Sequence, residues 1–162
     1  MKKELFFVFV IIAIALLFVF IVFIHGPEVK PGIVIHGADA DGKSHKILQT
    51  EQGFDELSKE CKDILSSIDG QYKLAMSYNE LNAMKRGNKY IGIVFPDPVN
   101  ITTKKKTDGE YRVIRMKEAT FMLSGEYYGH IFTQEKHARW VGVWSSERDL
   151  NKLNVMAESL IG

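Results

Sequence analysis

The sequence predicts an α+β domain, a mostly antiparallel sheet of about six strands with about three helices, carried on one N-terminal transmembrane helix. Three observations predict it. The run from Leu5 to Ile24 is apolar throughout. The segment 52–69 has apolar residues at helical spacing on one face. Beyond it lie short β-rich runs divided by Gly, Pro and Asp-Gly, without regular β–α alternation, which disfavours a doubly wound parallel fold.

The run LFFVFVIIAIALLFVFIVFI contains no charged or polar side chain. As a helix rising about 1.5 Å per residue it is about 30 Å long, the thickness of a bilayer's hydrocarbon core. It exceeds the apolar region of a cleaved signal peptide, and Phe23-Ile24-His25-Gly26-Pro27-Glu28 offers no small-residue cleavage pattern. The segment is therefore expected to remain as a signal anchor. Lys2 and Lys3 precede it, so the positive-inside rule predicts a short cytoplasmic segment (1–4), a single span (5–24) in contact with the lipid bilayer, and an extracytoplasmic remainder in the cell membrane. Gly26, Pro27, Pro31 and Gly32 make 25–32 a stiff linker, leaving 33–162 as one domain.

Composition narrows the function classes. Of the 21 Lys and Arg and the 20 Asp and Glu, only Lys2, Lys3 and Glu4 precede residue 25, so the domain is electrically neutral. Nonspecific nucleic-acid binding needs a basic face, and no nucleic-acid partner is expected. The single cysteine, Cys61, excludes an intramolecular disulfide, and its place on the apolar helix face marks it as a small buried hydrophobe.

In chain order, 33–36 is a β-branched strand and 37–44 a polar loop. The helix over 52–69 places Phe54, Leu57, Cys61, Ile64, Leu65 and Ile68 inward, with Gly70 as its left-handed end. A strand at 72–77 leads into Ser77-Tyr78-Asn79-Glu80, whose spacing is that of a capping box, and a short helix to Arg86 follows. The strand 90–95 contains Gly92 and stops at Pro96-Asp97-Pro98. Segments 99–104 and 110–116 form a hairpin through Asp108-Gly109, and 119–123 continues its second arm or forms a further strand. Aromatic-rich strands are expected at 126–133 and 139–144. Ser146 begins a second cap, before a helix with Leu150, Leu153, Ala157 and Leu160 inward. The helices are expected on one face of the sheet.

No catalytic motif emerges. There is no GxSxG, no GxGxxG, no P-loop and no HExxH, and nothing selects among dispersed carboxylates such as Asp97, Glu118 and Glu126. A calcium loop at 37–42 fails in both registers, because position 12 falls on Thr50 or Leu48 instead of Glu. His36, Asp39, Asp41 and His45 lie close enough in sequence to hold zinc or manganese, although a polar loop is the commoner meaning of such a cluster. Lys104, Lys105 and Lys106 could meet anionic lipid, but lysines at a hairpin usually solubilise it and block edge pairing. Asn100-Ile101-Thr102 is a glycosylation acceptor if the domain is external.

The aromatics offer the most. Period-two alternation makes Tyr127 and Tyr128 diverge and puts Trp140, Gly142 and Trp144 on one face. Tyr128, Trp140 and Trp144 are the candidate interaction patch, weighed against packing in the core. The expectation is thus a protein-interaction or accessory module with an unknown protein partner and no cofactor. The alternatives are a small-ligand or metal-binding domain and a membrane-tethered enzyme such as a hydrolase.

Overall fold

The structure, a computed structural model, describes residues 31–37, 43–135 and 140–161, with Trp140 described by its backbone alone. The predicted anchor at 5–24 and most of its linker lie outside these residues. Among the described residues no helix is long and apolar enough to cross a membrane. The elements are β1 (Gly32–His36), β2 (Ser44–Ile47), α1 (Phe54–Ser66), β3 (Ile68–Gln71), β4 (Met76–Ser77), α2 (Tyr78–Lys85), β5 (Tyr90–Thr107), β6 (Glu110–Met122), β7 (Ile131–Gln134), β8 (Trp140–Ser146) and α3 (Asn151–Ile161). The architecture is α+β, and every strand pairing is antiparallel.

The sheet runs β2-β1-β5-β6-β7-β8-β3, with β4 pairing β8 beside β3. Its spine is the β5–β6 hairpin. Asp108 (φ 53°) and Gly109 (φ 87°) both adopt the left-handed conformation that a tight two-residue turn demands. The expected interruption at Pro96-Asp97-Pro98 is a register shift between Val94 and Val99 within one long strand. A bulge absorbs prolines that a regular ladder cannot. Beyond it, Val99, Ile101, Ile114 and Met116 still pack on the core, and Arg112 donates to Gln71 Oε1 of β3 at 2.6 Å. The hairpin's outer half thereby reaches the far edge of the sheet.

The main core lies between one sheet face and α1 with α3. Ile33, Ile35, Ile91, Ile93, Phe121 and Ile131 meet Leu57, Cys61, Ile64 and Leu65 of α1 and Leu153 and Ala157 of α3. Gly53, in the N-cap position of α1, provides no side-chain cap. At about 1.5–3 kcal/mol for each fully buried Leu or Ile, the apolar face of α1 holds it in place. Glu60 is also buried, at 4% exposure, and is ion-paired with Arg148 at 3.1 Å and Lys152 at 2.5 Å.

Several boundaries differ from the sequence expectation. Helix α1 ends at Ser66 instead of Asp69, and the Ser67 hydroxyl donates to the Ile64 carbonyl at 2.8 Å. Ile68–Gln71 joins β8, where an added Cβ on Gly70 would fall 2.2 Å from Ser145 Oγ. Gly70 serves close strand approach, without a left-handed helix end. The strand expected at 72–77 is reduced to β4, although the Tyr72 amide still donates to the Val143 carbonyl at 3.0 Å. Residues 126–129 form a turn, because Gly125 (φ 80°) and Gly129 (φ 81°) take left-handed conformations that break a ladder. Helix α3 begins at Asn151, whose amide donates to Asp149 Oδ1, while Ser146 belongs to β8. Leu160 stays 39% exposed.

Helix α2 packs on the face opposite α1 and α3, so the helices are not all on one side. Met76, Leu81, Met122, Phe132, Val141 and Val143 form this second core. Ser77 sets its position. Glu80 N donates to Ser77 Oγ at 3.3 Å, and the Glu80 carboxylate accepts from Ser77 N at 2.7 Å, completing the capping box. Ser77→Ala is expected to lower stability by about 1 kcal/mol in urea denaturation. The Ser77 hydroxyl and amide hold the Glu80 carboxyl below its ordinary value of 4.5. That contribution is complete above 4.5 and is lost as pH falls through the depressed folded value, so the difference between the two proteins narrows in acid.

Candidate functional site

Helix α2 packs against β4 and β8, and two distinct surfaces lie on its sheet face. Toward β7 and β8 lies a run of aromatic rings. Phe132, part of the second core, meets Tyr127 edge-on at 6.0 Å, and Tyr127 meets His130 edge-on at 5.6 Å. Tyr72 stacks on His130 at 4.2 Å with planes 22° apart. The ring series runs from buried Phe132 to Tyr72, which is 43% exposed. Such offset and edge contacts hold rings in fixed orientation. Beside it, the 126–129 turn directs Tyr127 toward the second core and leaves Tyr128 53% exposed, its hydroxyl 3.4 Å from Asp149 Oδ1. Leu74, two residues beyond Tyr72, is 37% exposed.

Toward β1 and β5 lies a cavity of about 150 Å³. Tyr78 and Lys85 of α2 line it, with Tyr90 and Gly92 of β5, Glu118 of β6 and Val34 of β1. Lys85 Nζ sits over the Tyr90 ring, 5.3 Å from its centroid, and His36 stacks on the same ring at 5.1 Å. Burial pushes the Lys85 ammonium below its ordinary pKa, against the opposing pull of the Glu118 carboxylate. Burial also raises the Tyr90 hydroxyl, with nearby Tyr78 adding to the effect.

The structure separates the residues that the sequence singled out. Trp144 is 3% exposed in the main core, where its Nε1 donates to Thr133 Oγ1 at 2.7 Å. Gly142 makes room for it, since an added Cβ would lie 2.7 Å from Trp144 Nε1. Arg112 covers the ring at 4.9 Å. Trp144 is therefore a packing residue in this fold and not part of an exposed patch with Tyr128. Trp140 pairs with Ser77 through the ladder, and its side chain lies outside what the structure describes.

His36 pairs with Ser44 and His45 with Ile35, adjacent rungs whose side chains point to opposite sheet faces. The two histidines therefore cannot share one ion, and His36 Nδ1 is already bonded to Ser44 Oγ at 2.6 Å. Asp39 and Asp41 lie outside the described residues, among which no three His, Cys, Asp or Glu side chains gather as ligands. Asn100 is exposed on β5. Cys61 is fully buried, and burial pushes its thiol far above the ordinary range, which removes the thiolate that reactivity requires. Asp97 and Glu126 are exposed, and Glu118 alone of the three carboxylates faces the cavity. Lys104 is ion-paired with Glu147, and Lys106 lies 4.9 Å from the Tyr111 ring centroid.

Comparison with family models, with curated proteins and with solved structures finds no match. The functional reading therefore rests on these two flanks. Sequence reasoning missed the Tyr72–His130 stack, which joins residues from distant segments. It also missed the cavity, although a glycine inside an apolar strand, Gly92, was its visible sign.

Proposed function

We propose that this chain is a single-pass, membrane-anchored extracytoplasmic domain that binds another protein through the aromatic flank of α2. The observation that carries the reading is the exposure of Tyr72, stacked on His130, and of Tyr128 in the adjoining turn. Tyrosine supplies much contact area for little conformational entropy and dominates interface hot spots. The Tyr72 ring, already held on His130, loses less freedom on binding than an isolated side chain would. Leu74 adds apolar area close to Tyr72 in sequence. The apolar run at 5–24 and the two lysines before it support the membrane placement.

The test is mild crosslinking in native membranes, followed by purification of the full-length protein and mass spectrometry. A stoichiometric companion is expected. Tyr72→Ser with Tyr128→Ser should reduce its recovery at least about tenfold, since each hot-spot residue contributes about 2 kcal/mol or more, at unchanged Tm. A lone, monodisperse protein recovered from crosslinked membranes would overturn the reading.

A further inference from the structure

We infer that the cavity between α2 and strands β1, β5 and β6 is a binding site for a small zwitterion, a free α-amino acid of the size of glycine or alanine. The inference is independent of the protein-binding reading and concerns the opposite flank of α2.

Space comes first. The cavity measures about 150 Å³. A void of that volume accepts a molecule of about six non-hydrogen atoms, the size of benzene. Glycine and alanine fall in this range.

The floor of the cavity is kept open by Gly92. It lies within β5, opposite Val34 of β1 and Thr120 of β6, and its backbone is not left-handed. Neither a turn nor close strand approach requires glycine there. An added Cβ would meet only the Tyr90 ring, at an ordinary 3.7 Å. A β-branched residue in such a strand would be more stable, because glycine loses most entropy on ordering and packs nothing. Glycine inside a strand, with room above it, is one mark of a backbone that a ligand approaches.

Charge then selects the occupant. Lys85 and Glu118 both line the cavity. Among the ion pairs of the described residues none joins them. Two opposite charges on the wall of one partly desolvated space, not paired with each other, can each take a ligand group of the opposite sign. A simple anion placed there would meet the Glu118 carboxylate, and a simple cation would meet the Lys85 ammonium. A zwitterion satisfies both, with its carboxylate toward Lys85 and its ammonium toward Glu118. The hydroxyls of Tyr78 and Tyr90, both half-buried, are further partners for the carboxylate. His36 stacks on the Tyr90 ring and fixes its orientation.

The experiment is calorimetric titration of the full chain in detergent micelles with glycine, L-alanine, acetate and methylammonium. The amino acids are expected to bind with Kd of about 1 mM or tighter, and each half-ligand at least about tenfold more weakly. Gly92→Val should abolish binding while leaving Tm unchanged or higher. Glu118→Gln should weaken alanine at least about tenfold and narrow its advantage over acetate. Absence of heat with either amino acid at about 50-fold excess over about 1 mM would overturn the inference, as would full binding by Gly92→Val. Acetate binding as tightly as alanine would overturn the zwitterion assignment.

Discussion

Alanine at Phe121 will destabilise the domain by about 3–5 kcal/mol, the cost of a large cavity at the centre of a packed core. Phe121 is fully buried, lies between Ile91 of β5 and Ile131 of β7 in the ladder, and faces α1 across the sheet. The rungs on either side fix its backbone, so the void cannot close by strand movement. Tyr111, 58% exposed near the hairpin tip, serves as the control, and its alanine variant should stay within about 0.5 kcal/mol of the parent. Urea denaturation followed by tryptophan fluorescence measures both. A loss below about 1 kcal/mol at Phe121 would mean that α1 does not cover this part of the sheet.

The second large effect concerns a buried charge. Removing Arg148 and Lys152 together is expected to cost about 3 kcal/mol, because Glu60 is left buried at 4% exposure without a cation. This is the lower end of the range for broken buried pairs, since Arg148 keeps 38% and Lys152 65% of its side chain exposed. Glu60→Met should cost far less, about 1 kcal/mol or nothing, because both cations then return to water and a methionine fills the space. The two denaturation midpoints distinguish this from ordinary loss of packing. Packing alone would rank the Glu60 substitution as the more damaging, since Glu60 is the buried member.

Much of the fold was legible because local signals and tertiary demands agree in it. The 3.6-residue spacing of Leu57, Cys61, Ile64 and Leu65 is the spacing that buries them, and Asp108-Gly109 permits the turn that β5 and β6 require. The Ser77–Glu80 cap forms as its spacing indicates. Failures came where a distant partner decides. Ile68 continues the apolar face of α1 equally well as helix or strand, and its pairing with Ser146 of β8 settles the matter. The aromatic content of 126–133 favours strand throughout, yet Gly125 and Gly129 override it at 126–129 through backbone conformation. The candidate surfaces divide in the same way. Alternation tells that Tyr127 and Tyr128 diverge, but period two cannot tell which face is the core, and so it could not separate buried Trp144 from exposed Tyr128. Which sheet face α2 covers was invisible too, since only Leu81 of that helix is fully inward.

The place of β8 has a consequence for biosynthesis. This strand is made after every other strand described, yet it is the seam between β7 and the β3–β4 edge. A nascent chain that has not reached residue 146 therefore carries two raw strand edges and lacks Trp144, Val141 and Val143 from its cores. Unpaired edges recruit other chains. Translation that halts before β8 should thus yield a self-associating fragment, and the domain closes its sheet only once β8 has emerged to join segments made long before it.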